Sequence, residues 1–283
     1  MRHISLLSIC AVGVLSLSAC GKSHEAEVER AVQDVLSTDE AQLNEIMMAV
    51  ADPDEAITYF RKIETEHPDQ IEPQRGLAKS LIRARRNTEA VAAWEKVAYH
   101  RDSTNADRVG YADALIRVGD WKKAEAVLDD IPPTYETFDR YKLEAMIADS
   151  KKEWKKADSF YETAVDLTTQ PSGVLNNWGF SKMSRGDYRG AERLFVEAIS
   201  YDPKLFAAKN NLVLARGAQR DYQLPVIEMT QGERAHLYYT LALTAIKQGD
   251  IGIGKGLLQD AVETSPQYFE EAVRALDALE ARG

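Results

Sequence analysis

Few residues of this chain have the types and spacing to do chemistry. His24, His67, His100 and His236 are scattered, and none has a second histidine or a cysteine at metal-ligand spacing. Both cysteines, Cys10 and Cys20, lie within the first twenty residues, so no downstream intrachain disulfide or thiolate metal site can form. The sharpest run is Gly249 to Gly256, where Gly249, Gly254 and Lys255 stand as they would in a loop that cradles phosphate with backbone amides and a lysine. That chemistry needs a hydroxyl for magnesium at the next position, and Gly256 has none. The preceding stretch, Ala235 to Gln248, has a helical period where a phosphate loop requires a strand. Gly249 therefore reads as a turn between helices and Gly254 as a close-packing site, and no nucleotide is expected. Acidic residues are abundant but fall at irregular intervals and read as solvated surface. With no nucleophile motif present, no catalytic, cofactor-binding or metal-ligating residue is expected.

The composition supports a folded scaffold with protein or envelope partners. Of 283 residues, 45% are hydrophobic and 28% charged, enough for a substantial core. Lys plus Arg number 35 against 45 Asp plus Glu, a formal charge of −10, which argues against a broad basic face for nucleic acid. The N-terminus reads as an address. Met1-Arg2-His3 is a short positive start, Ile4 to Leu17 is an apolar stretch diluted by serines, and Leu17-Ser18-Ala19-Cys20 closes it with small residues. This order resembles the bacterial lipobox, which implies a signal peptide over 1–19 and lipidation of Cys20. Gly21 in place of Asp resembles the pattern sent on to the outer membrane, and polar residues 20–29 read as a leash.

A repeat organises the rest. Ala56, Ala90, Ala124, Ala157 and Ala191 are spaced by 34, 34, 33 and 34 residues, each followed four residues on by Phe60, Trp94, Leu128, Tyr161 or Phe195. Offsets of four and seven residues mark one helical face. Twelve residues before each anchor stands Asn44, Ala78, Ala112, Ala145 or Gly179, marking a first helix packed on the second. Gly119-Asp120 and Gly186-Asp187 are the turns between them, and Pro68, Pro203 and Pro266 close the second helices. The pattern resembles the tetratricopeptide repeat (TPR) family, best seen from Asn177-Trp178-Gly179 through Ala191, Phe195, Ala198 and Pro203. The resemblance implies an all-α helical-hairpin solenoid of about six to seven repeats over 30–266. In the sixth copy Pro225 replaces the anchor alanine and 221–232 shows no helical stripe, so an irregular interruption is expected there. Residues 267–283 read as a capping helix, with Phe269, Val273, Leu276 and Leu279 on one face.

Asn177 and Asn211 hold one repeat position on consecutive first helices. In peptide-binding members of the family such an amide bonds the ligand backbone; an amide that pairs helix to helix or caps a helix is the other reading. Phe180, Met183, Leu214, Tyr239 and Leu243, with Met146, would make the neighbouring groove apolar and adaptable; packing in the core is the other reading of these six. Lipobox, leash and repeats together look like the TadD-type lipoproteins of tight-adherence (Flp) pilus assembly. The resemblance implies a non-catalytic scaffold on the outer membrane, facing the periplasm, with a secretin or pilus assembly component as partner. A pilotin or outer-membrane-protein assembly lipoprotein of another system is the alternative, and a periplasmic enzyme or ligand-binding accessory is a further one. The anchor is testable by envelope fractionation: Cys20→Ser should release the folded protein from membranes, because it removes acyl chains worth about 0.8 kcal/mol per buried CH₂. Retention of the variant on protein-free lipid would refute lipidation at Cys20.

Overall fold

The computed structural model describes residues 42–281. Cys20, the signal and leash segments and the first part of the expected repeat region lie outside the described residues. Within them the chain is all helical, and it divides into two compact units meeting in sequence at Asp107 and Arg108.

The first unit has helical residues 42–49, then α1 Pro53–Glu66, α2 Ile71–Arg83, α3 Asn87–Ala98 and the start of α4 Asn105–Arg117. Anchors Ala56 and Ala90 are completely buried, as is Ala78 of the facing helix. The reason for small residues is visible at Gly76, where a Cβ would come within 2.4 Å of the Phe60 ring. Arg75 closes this unit with a bidentate pair to Asp107, Nε to Oδ1 at 2.7 Å and Nη2 to Oδ2 at 2.6 Å. Burial opposes the charge of Asp107, but Arg75 and the Thr104 amide and hydroxyl outweigh it and hold the carboxyl below its usual range.

The second unit continues through α5 Trp121–Asp129, α6 Phe138–Ser150, α7 Trp154–Asp166, α8 Ser172–Ser184, α9 Tyr188–Tyr201, α10 Phe206–Ala218, α11 Gln231–Lys247, α12 Ile251–Thr264 and α13 Glu270–Glu280. Ala124, Ala157 and Ala191 are again fully buried. Around Ala191 the core gathers Leu175, Phe195, Ala198, Ala208 and Leu212. At the far end Leu237, Leu241, Leu258 and Ala261 pack with Phe269 and Ala272, which bind α13 to the last hairpin.

The turns between paired helices follow one rule. Arg85, Gly119, Lys152, Gly186, Arg220 and Gly249 all have positive φ, between 58° and 86°. After each, the next amide donates back to a carbonyl five residues earlier, as from Asp120 to Leu115 and from Asp187 to Lys182, both at 2.9 Å. The anchor alanine then makes the first bond of the second helix: Ala90 to Arg86, Ala124 to Asp120, Ala157 to Glu153 and Ala191 to Asp187, all at 2.9 to 3.0 Å.

This explains the sixth copy. Arg220 turns in the left-handed region and Asp221 donates to Arg216 at 3.1 Å, so the turn forms. Pro225 then sits at the anchor position, where it has no N–H to donate to Asp221, and the second helix never starts. The irregular segment ends two residues earlier than the periodicity suggests. Thr230 and Glu233 form a reciprocal capping box that starts α11 at Gln231, so Gln231 and Gly232 are helical. Without the missing helix, α11 packs directly on α10.

Three of the six turn residues carry a side chain in the conformation that favours glycine. Lys152 has no side-chain partner among the described residues to offset that cost, so Lys152→Gly should raise stability in urea by up to about 1 kcal/mol, whereas Gly186→Ala should lower it by about the same amount. Equal urea midpoints for both variants would show that the turns do not carry this strain.

Candidate functional site

A groove of about 510 Å³ opens in the second unit. Three first helices contribute to it: α6 through Met146, Asp149 and Ser150, α8 through Asn176, Asn177, Phe180, Ser181 and Ser184, and α10 through Asn211. The second helices add Trp121, Trp154 and Tyr161. Trp121 and Trp154 are each the first residue of their helix, one repeat apart, so the repeat itself places both indoles on the same wall. Phe180 is 55% exposed and forms an apolar lip.

Of the residues the sequence singles out, the structure brings Asn177, Phe180 and Asn211 together here, with Met146. Met183 packs instead against the core around Ala191 and Phe195, and Tyr239 packs against the terminal core with its ring 5.3 Å from that of Phe269. Leu214 is half-buried and Leu243 is exposed, and neither lines this groove.

The paired asparagines form a diagonal ladder. Asn211 Nδ2 donates to Asn176 Oδ1 at 2.9 Å, and one repeat on, Thr240 Oγ1 donates to Asn210 Oδ1 at 2.8 Å. The second residue of each pair thus reaches the first residue of the pair before it. Asn177 would reach back to Lys142, but that ammonium is bound to Asp139 at 2.7 Å and lies 5.1 Å from the Phe138 ring centre. Asn177 is therefore the open end of the ladder, and its amide has no hydrogen-bond partner among the described residues. The two readings of Asn177 and Asn211 separate: Asn211 ties helix to helix, and Asn177 faces the groove with free donors and acceptor.

Two aspartates beside the groove are pushed in opposite directions. Burial acts first on both. At Asp158 the donors win: Arg185, Trp178 Nε1 at 2.6 Å and Lys182 Nζ at 3.0 Å hold the carboxyl below its usual range. Asp149, on the groove wall, receives only hydroxyls, from Ser181 at 2.7 Å and Tyr161 at 2.8 Å, and burial leaves its pKa raised. The same pair pushes the Tyr161 phenol up, since its ionisation is opposed by burial and then by the Asp149 charge. Asp149, Trp121, Trp154 and Ser181 are not among the residues singled out from sequence. The two tryptophans carry a signal, 33 residues apart at the start of second helices, whereas a lone aspartate on a helix face carries none.

Glycine chemistry at the phosphate-loop run is structural. Gly249 makes a left-handed turn, a Cβ on Gly254 would come within 2.5 Å of Ile246, and Lys255 pairs with Glu280 at 3.0 Å. Among the described residues no helix is long and apolar enough to cross a membrane.

Fold and turns together define the fold class, an all-α repeat of helical hairpins like those of tetratricopeptide-repeat proteins. A tetratricopeptide-repeat profile matches residues 48–107. No curated protein matches the sequence. Among solved structures, the APC/C hetero-tetramer Cut9–Hcn1 aligns at 15% identity and TM-score 0.59, over 84% of this chain and 47% of that one, so the chain spans about half the length of this neighbour. Human IFIT1, solved as a dimer with PPP-AAAA, aligns at 15% identity and TM-score 0.56, covering 81% of this chain and 59% of that one. A thermophilic TPR protein of Thermus thermophilus, TTC0263, aligns at 16% identity and TM-score 0.54, covering 62% of this chain and 95% of its own. At these identities the likeness is one of fold.

The ladder distinguishes two residues that sequence treats alike. Asn211→Ala should cost about 0.5 to 1.5 kcal/mol in urea denaturation through the lost Asn176 bond. Asn177→Ala should stay within about 0.5 kcal/mol of the parent. The reverse order would place the free amide on α10.

Proposed function

We propose that this chain is a non-catalytic docking protein of the cell envelope, anchored through lipidated Cys20, whose groove holds an extended segment of a partner protein. The repeat fold supports a protein-interaction scaffold. The observation that carries the docking site is the open amide of Asn177 between the exposed Phe180 lip and the Trp121 and Trp154 wall. An extended chain offers backbone N–H and C=O groups in alternation, which one carboxamide satisfies with a donor and an acceptor. Aromatic walls supply apolar area at little entropic cost, since their side chains are already fixed by the repeat.

The lipobox residues and the Asn-Asn pairs support the narrower assignment to tight-adherence pilus assembly, with a secretin or another pilus assembly component as the partner at the outer membrane. Nothing in that assignment requires a metal, a nucleotide or a nucleic acid.

Photo-crosslinking from position 184, which lines the same groove, should capture the partner from envelope extract and identify it by mass. Phe180→Asp should then weaken its capture ten- to a hundredfold, because burying a Phe side chain is worth about 1.5 to 3 kcal/mol. Lys255→Ala, on the surface pair with Glu280, should change nothing. Capture unaffected by Phe180→Asp would remove the groove as the docking site; a crosslinked partner from another envelope system would remove the pilus assignment.

A further inference from the structure

We infer that the groove selects a cationic side chain, lysine or arginine, from the partner segment, and that Asp149 with the Trp121 indole forms its seat. The inference rests on the groove being the docking site and adds which residue the segment must carry.

Charge is the first argument. Among the residues lining the groove, Asp149 is the one ionisable carboxyl and none is basic. Its two oxygens each accept a single hydroxyl, Oδ1 from Ser181 and Oδ2 from Tyr161, so each keeps a lone pair for another donor. The nearest cations are committed elsewhere. Arg185 and Lys182 both bind Asp158, and Lys182 lies also 3.8 Å from Asp187. Arg185 and Asp158 are the charged groups that act on Asp149, with opposite signs, and the carboxyl remains under-compensated by hydroxyl donors alone.

The aromatic wall is the second argument. An indole face attracts a cation through its quadrupole, most strongly where water is displaced. The molecule itself shows the pairing: the Arg185 guanidinium, bound to Asp158, lies 5.5 Å from the centre of the Trp154 ring, so that ring already holds a cation and the Trp121 indole is the one left for a partner's. A partner cation that reaches the groove meets the same type of ring, a carboxylate with free lone pairs, and Asn177 positioned for the adjoining backbone.

The third argument excludes other occupants of the same chemistry. An acidic segment would bring a second negative charge beside Asp149 with no lining cation to receive it. A wholly apolar segment would seal Asp149 and Asn177 from water without partners, which is costly for both.

The test selects a displayed random-peptide library on the full chain and, in parallel, on its Phe180→Ala variant. Peptides retained by the first and lost by the second are groove ligands. These should share a lysine or arginine, and replacing that residue by norleucine or citrulline should weaken binding about tenfold or more. Asp149→Asn should cause a similar loss for the basic peptide and little for the neutral one, so the two changes are not additive. Because the peptide substitution leaves the protein untouched, the result does not depend on how well the Asp149→Asn variant folds. Groove ligands without a basic residue, or ones indifferent to norleucine and citrulline replacement, would overturn the cation seat while leaving the docking site intact. A library yielding no peptide that distinguishes the parent from Phe180→Ala would overturn the docking site and the seat with it.

Discussion

Each second helix depends on one backbone hydrogen bond. A residue with positive φ reverses the chain, its successor becomes the N-cap, and the amide of the anchor alanine four residues further on closes the first helical ring onto that N-cap carbonyl. The anchor must therefore have an N–H, and it must also be small, because the first helix passes over it. Alanine meets both demands, and Ala90, Ala124, Ala157 and Ala191 are wholly excluded from water. Nucleation is the expensive step of helix formation, so a hairpin that loses this one bond loses the helix rather than a part of it. Pro225 is that loss, made at a position whose turn, at Arg220, is otherwise intact.

In place of the missing helix the irregular segment packs Tyr222, Leu224 and Met229 on the terminal core and Ile227 on the core around Ala191, and polar contacts complete the junction. Lys209, 2% exposed, reaches Glu233 with its ammonium at 3.0 and 3.1 Å from the two oxygens. Gln248 Nε2 donates to the Gly217 carbonyl, and Arg220 and Tyr222 both bind Asp250. Asp250 consequently does not cap α12 with its side chain, although Asp120 and Asp187 cap theirs. Burial opposes the charge on Glu233, yet the Thr230 amide and Lys209 hold its pKa below the usual carboxylate range. A carboxyl lowered in this way contributes stability above its unfolded pKa and loses it as pH falls through the folded one, so the α10–α11 junction is an acid-sensitive joint of the second unit, as is the cluster around Asp158.

The repeat was legible because it is written twice, in the spacing of the anchors and in the bulky residue four positions later. Paired helices, the turns at Gly119 and Gly186 and the failure at Pro225 all follow from it. The turns at Arg85, Lys152 and Arg220 were less visible, since a basic residue gives no local sign of positive φ and only its place in the period reveals it. The groove was half legible. Asn177 and Asn211 stand one period apart, but the hydrogen bonds run on the diagonal, from the second residue of one pair to the first residue of the pair before. Periodicity shows which residues share a position; it does not show which neighbouring position their side chains reach. Asp149 could not be read at all, because its significance lies in having Ser181 and Tyr161 as partners instead of a lysine or arginine.

The groove sits where the ladder stops. A repeated contact satisfies its polar groups as long as the next repeat supplies the complementary residue, as Asn176 does for Asn211 and Asn210 for Thr240. At α8 the preceding repeat offers Lys142, which is bound to Asp139, and Asn177 is left over. Such an amide costs little while wet and much if covered without partners, and the same holds for the lone pairs remaining on Asp149. A groove lined in this way disfavours any cover that is merely apolar, including a nonspecific contact with the Phe180 lip. It favours a cover that brings hydrogen-bonding groups to the open amide and positive charge to the carboxylate. For the proposed docking site, specificity would come from the energetic asymmetry between satisfied and unsatisfied polar groups, and the broken ladder creates that asymmetry.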